Sequence, residues 1–307
     1  MIKQAPWYFP FALLFGILAV STASIFIRYA QGNAPSLVIA AGRLTIASLI
    51  LAPIALSRYW HEYQTLTRRD LILGILSGFF LALHFATWIS SLEYTTVTSS
   101  VVLVTTTPLW VALLAPIFLK ERITATILIG MTLTLIGGMI IGISDACTIQ
   151  QGLICPPFSE MISADSFLGN FLALSGAWMA AGYLLIGRSL RSQLSLIPYI
   201  FLVYGIAAIV LIVIMLGAGQ TLIGYDLDLY LWLAALAIFP QLIGHSTFNW
   251  ALGYLPAALV SVTLLGEPIG TIALAYFLLN ESPSILKLIG GGLILIGIYV
   301  TSRRRAN

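Results

Sequence analysis

Leu103–Glu121, LVTTTPLWVALLAPIFLKE, and Thr263–Glu281, TLLGEPIGTIALAYFLLNE, lie 160 residues apart and share one plan. In each, a proline interrupts an apolar run, and a glutamate follows thirteen residues later where the run ends. Pro108 matches Pro268 and Glu121 matches Glu281, but Glu267 stands where the earlier copy has Thr107. A proline lacks the amide donor that a helix interior needs, so both runs are expected to break there.

Working outward at the same offset, Gly16 pairs with Gly176, Arg28 with Arg188, Thr87 with Thr247 and Tyr94 with Tyr254. The register continues through Gly130/Gly290 and Gly137/Gly297 without a gap. This is an internal duplication. The chain is 60% hydrophobic and 8% charged over 307 residues, too apolar for a water-soluble globule. Ten runs approach the roughly 20 residues that a spanning helix needs: 8–28, 35–57, 71–92, 97–119, 124–144, 167–188, 195–217, 229–251, 257–279 and 284–302. The expected fold is therefore an all-α membrane protein of ten transmembrane helices. Five helices per copy is an odd number, so the second copy enters the membrane inverted, as in secondary transporters. The halves are 8–144 and 167–302, joined by an outer linker at 145–166 and followed by a basic tail at 303–307.

Charge orients the bundle. With the N-terminus inside, Lys3, Arg58, Arg68, Arg69, Lys120, Arg122, Arg188, Arg191 and Arg303–Arg305 face the cytoplasm, leaving Arg28 and Lys287 outside. Both termini are then cytoplasmic, in a bacterial or archaeal-type inner membrane, with lipid headgroups as partners of the basic tail. The basic residues form no single patch, which argues against nucleic acid as a partner. Cys147 and Cys155 share the outer linker, where an oxidising face permits a disulfide or leaves two free thiols.

The runs LEYTTVTSSVVLVTTTPLWVALLAPIFLKERIT and LGYLPAALVSVTLLGEPIGTIALAYFLLNESPS resemble the paired EamA domains of the drug/metabolite transporter superfamily over essentially the whole chain. Lys120 and Asn280 depart from that pattern, standing where a glycine often precedes the glutamate. The resemblance implies a carrier of small metabolites, amino acids among them. It implies neither an enzyme nor a bound cofactor.

Four ionisable residues stand well inside the runs: Arg43, His84, His245 and Glu267. Such groups are costly in lipid and tend to face a cavity or each other. Arg43 reads either as an anchor for a substrate carboxylate or as a structural arginine that snorkels or caps carbonyls. Glu267, beside the Pro268 break, reads either as a proton-coupling carboxylate or as a packing acid. His84 and Trp88 share a helical face, and Gln241, His245 and Asn249 form a polar stripe at the same spacing, expected as cavity walls. Trp88, Trp110, Trp178, Tyr183 and Tyr204 lie within the runs and offer rings to a flat or cationic substrate, against a packing role for each. Glu121 and Glu281 are expected to cap the helices that follow them, and the glycines at 130, 137, 138, 142, 290, 291, 292 and 297 to allow close packing. No spacing for a zinc site or a serine nucleophile is present. The expected partners are thus a small molecule, with protons as candidate coupling ion, and lipid.

Overall fold

A computed structural model describes residues 6–95, 100, 103–146, 148–149, 153–154, 164–279 and 284–302. The described chain is helical apart from two short strands, Thr148–Ile149 and Leu153–Ile154, which pair antiparallel in the linker. The helices are α1 (Phe9–Ser21), α2 (Ala23–Gln31), α3 (Ser36–Arg58), α4 (Trp60–Gln64), α5 (Arg68–Tyr94), α6 (Thr107–Phe118), α7 (Ala125–Ala146) and α8 (Ala164–Leu190). They continue as α9 (Leu196–Gly217), α10 (Leu227–Leu236), α11 (Ser246–Ala251), α12 (Ala257–Leu264), α13 (Glu267–Leu279) and α14 (Ile285–Ser302), with a π-helical segment, Ala237–His245, between α10 and α11. Among the described residues, seven stretches are long and apolar enough to cross a membrane. Three shorter apolar helices lie at Thr107–Phe118, Ala125–Ile140 and Leu288–Thr301.

Both prolines act as the sequence predicts. Pro108 and Pro268 occupy the second position of α6 and α13, in the first turn, where a missing amide costs nothing. Each run therefore stops and restarts instead of kinking. Pro240 has a different effect. It sits inside the π segment, whose wider turn tolerates the missing donor.

Large apolar side chains face outward, and several polar ones are buried within an otherwise apolar core. Phe15, Ile117 and Phe277 are 71%, 70% and 75% exposed, while Arg43, Gln241 and Asn249 are fully covered. That distribution suits a lipid exterior, where burying polar side chains against each other is the favourable arrangement. Acids outside the core pin helix N-termini that belong to other elements. Glu93 accepts the amide of Ser36 at 3.0 Å, and Glu62 accepts both the amide and hydroxyl of Ser195 at 3.0 and 2.5 Å. Burial, with Glu62 alongside, raises the pKa of the neighbouring Tyr63, whose hydroxyl donates to Pro198 O at 3.2 Å. Each acid opposes the positive end of a helix dipole.

Glu121 follows the same rule, which corrects the expectation that it caps its own follower. Its Oε2 accepts the amide of Ala257, at the start of α12, and Thr124 accepts the amide of Ile127 at the start of α7. Glu281 and both cysteines lie outside the described residues.

The glycines of α7 and α14 face each other within the chain. A Cβ on Gly130 would lie 2.5 Å from Gly297 O, and one on Gly137 would lie 2.5 Å from Gly290 O. Gly292 has open space, and Gly138 and Gly291 meet only ordinary contacts, so close approach belongs to four glycines and not to the whole set.

Candidate functional site

The two restarts meet at a cavity. It is bounded by Val104, Thr107 and Pro108 at one break and by Ser261, Leu265 and Glu267 at the other. His84 and Trp88 of α5, Tyr183 of α8, and His245 with Phe248 complete its wall. Its volume, about 80 Å³, holds a few waters and falls short of the roughly 300 Å³ of most ligand clefts, so this conformation is contracted.

Glu267 is placed by tight backbone packing. Ser21 Oγ donates to Glu267 O at 2.9 Å and to Ile17 O at 2.7 Å, and Thr271 Oγ1 donates back to Ser21 O at 3.1 Å. These bonds tie α1 to the first turn of α13. Among the described residues the Glu267 carboxylate has no hydrogen bond or ion pair, although it interacts with the charge of Arg43.

On the opposite wall, His84 stacks on Trp88 with centroids 5.9 Å apart and planes 11° from parallel. The shared face expected from their spacing is therefore real. His84 Nδ1 lies 2.9 Å from Gly176 O, a bond that fixes the ring across α5 and α8. His245 meets Phe85 edge-on at 5.2 Å.

Behind this wall runs a buried hydrogen-bond chain. Tyr183 donates to Asn249 Oδ1 at 2.5 Å, and Asn249 Nδ2 donates to Tyr204 Oη at 3.2 Å. Tyr204 reaches Gln241 O at 3.4 Å and Ser246 Oγ at 3.2 Å, while Gln241 Oε1 accepts from Arg43 Nη2 at 2.8 Å. Gln241 O, within the π segment, also accepts the amide of Ser246.

Several expected site residues therefore lie off the cavity. Arg43 does not line the cavity; its guanidinium lies 4.2 Å from the Phe85 ring centroid. Gln241, Asn249 and Tyr204 belong to the chain behind the wall, and His245 alone of the 241–245–249 stripe reaches the cavity. For Gln241 the reason is physical: a four-residue spacing from His245 holds one face in an α-helix but not across a π-helical turn. Trp110 and Trp178 pair edge to face at 5.5 Å, and Trp110 donates to Thr106 Oγ1, also outside the cavity lining. Pro268 is buried beside the site but does not line it. Sequence reasoning missed the π segment and the lining residues Phe248, Leu265 and Val20. Pro240, eight residues before Phe248, was the available signal for the first.

A multi-pass helical membrane protein with a cavity at two helix breaks is the class that these features define. Residues 8–143 and 167–303 each match the EamA-like transporter family, and the chain belongs to it. An uncharacterized transporter of Archaeoglobus fulgidus is 24% identical over 95% of both chains. A second from the same organism is 28% identical over 66% of this chain and 67% of its own. An uncharacterized transporter of Synechocystis is 26% identical over 78% of this chain and 68% of its own. A solved crystal structure at 16% identity superposes with a TM-score of 0.74 over 97% of both chains, so the fold is shared. The protein is thus a membrane transporter.

Proposed function

We propose that the protein is a secondary carrier, not an enzyme, that exports a small amphipathic metabolite such as an amino acid or aromatic compound by alternating access. In this reading it has ten spanning helices in two inverted halves, with both termini cytoplasmic. The observation that carries it is the cavity at the meeting of the two proline-marked restarts, with one carboxylate, Glu267, on its wall. Packing between repeat mates supports the inverted plan. Gly16 abuts Thr247 just as Gly176 abuts Thr87, and both members of each pair are 160 residues from their mates. Such reciprocal pairing is what a two-fold relation between the halves generates.

Glu267 is the group that takes and releases the coupling proton. Counterflow and pH-driven uptake in proteoliposomes test this. Glu267→Gln abolishes the pH-driven component, whereas unchanged counterflow together with unchanged pH dependence makes Glu267 structural. A second reading, efflux of organic cations, is favoured by one observation: among the described residues, no arginine or lysine lines the cavity.

A further inference from the structure

The hydrogen-bond bookkeeping of the cavity wall specifies what can be recognised there. Thr107 Oγ1 donates to Val104 O at 2.8 Å, Ser261 Oγ to Ala258 O at 2.8 Å, and Tyr183 Oη to Asn249 Oδ1 at 2.5 Å. A hydroxyl has one proton, so each of these has committed it inside the protein and keeps only lone pairs. His84 behaves alike. The carbonyl of Gly176 can only accept, so Nδ1 carries the proton and Nε2 of the neutral ring is an acceptor.

Three amides at the breaks are also committed. Thr106 N donates to Leu103 O, Leu265 N to Val262 O and Gly266 N to Thr263 O. The positive end of the α13 dipole is met by Glu267 itself, in the first turn. The Trp88 indole nitrogen is covered and has no hydrogen-bond partner among the described residues. His245 brings one donor and one acceptor. Arg43 does not line the cavity; its guanidinium lies over the Phe85 ring and donates from Nη2 to Gln241, with Nε and Nη1 unpartnered among the described residues.

We infer that the site recognises a hydrogen-bond-donating cation, a primary or secondary ammonium carried on a flat apolar group, in preference to a carboxylate that carries no ammonium. Glu267, His84 Nε2 and the Thr107 and Ser261 oxygens accept from the ammonium, while Trp88 and Phe248 supply apolar and ring surface for the remainder. This assigns a role opposite to that of a carboxylate anchor at Arg43. The inference rests on the transporter reading for taking this cavity as the substrate site.

The test compares three ligands of one shape on purified wild-type protein near neutral pH: phenethylammonium, 2-phenylethanol and 3-phenylpropionate. Tryptophan fluorescence and melting temperature report binding. Phenethylammonium is expected to bind roughly tenfold or more tighter than the alcohol, with the carboxylate weakest, since a hydrogen bond to a charged group is worth at least that factor. Absence of amine binding, or phenylpropionate binding as tightly, overturns the inference. In Glu267→Gln the preference for amine over alcohol collapses; a preference that survives intact overturns the assignment of the carboxylate. Should that variant fold poorly, the wild-type ligand series decides alone. Counterflow separates this from the transport reading. Amine binding without counterflow refutes transport and leaves recognition standing, whereas counterflow of the carboxylate but not of the amine refutes recognition and leaves transport standing.

Discussion

Arg188 donates from Nε to Glu121 Oε1 at 2.8 Å, joining the end of α8 to the turn beyond α6. The other carboxylate oxygen accepts the amide of Ala257 at 3.1 Å, and Arg188 Nη1 donates to Leu252 O at 2.7 Å. The two side chains are 16% and 17% exposed, so water screens the pair less than it would at the surface. Arg28, which occupies the matching place in the first half, is exposed. The two ends of the duplicated frame are therefore not equivalent in this conformation.

Glu121→Ala removes a charge partner and a helix cap together, and should cost about 2–4 kcal/mol. Glu121→Gln keeps an acceptor for Ala257 and should cost only about 1–2 kcal/mol. Denaturation in detergent micelles, with Arg188→Ala as the second leg of a double-mutant cycle, measures both. Equal losses in the two variants would show that the cap contributes nothing beyond the charge.

A sharper contrast is available on α14. Gly297→Ala drives a methyl group to within 2.6 Å of Gly130 O, a backbone atom that cannot step aside without parting α7 from α14. Overpacking of this kind costs about 1–3 kcal/mol. Gly292→Ala meets nothing within 4 Å and should be neutral or stabilising by up to about 1 kcal/mol, because alanine is the better helix former. Melting temperatures of the two single variants decide it: a Gly292→Ala that lowers the melting temperature as much as Gly297→Ala contradicts the assignment.

The features legible in the sequence are those whose cause is local or repeated. Pro108 and Pro268 mark helix restarts because a missing amide acts on its own turn, and the offset between Gly130 and Gly290 survives as a packing relation. His84 and Trp88 were found by spacing because α5 is a regular helix through both. What eluded the sequence depends on partners far along the chain. Nothing near Glu121 announces Ala257 as its amide donor, 136 residues away. Likewise, the inward turn of Gln241 follows from a change of helical period that only a backbone reveals. Arg43 is legible as an ionisable residue inside an apolar run, but its contact with Phe85 is a matter of tertiary packing.

That packing makes the Arg43–Gln241 bond the most exacting test of the buried chain. Arg43 is fully covered, and its Nε and Nη1 have no partner among the described residues, so the bond from Nη2 to Gln241 Oε1 is its one side-chain hydrogen bond there. Gln241→Leu preserves approximate volume but strips that acceptor from a buried cation, and should cost about 3–5 kcal/mol, the range for breaking a buried charged pair. Arg43→Met in the same background removes the stranded charge and should restore most of the loss, since replacing both partners by apolar groups is often near neutral. The measurement is the unfolding free energy, or the melting temperature, of both single variants and the double. If Gln241→Leu proves as stable as wild type, the guanidinium finds compensation elsewhere. If the double variant is no better than Gln241→Leu alone, the loss comes from packing around the π segment and not from the exposed charge requirement of Arg43.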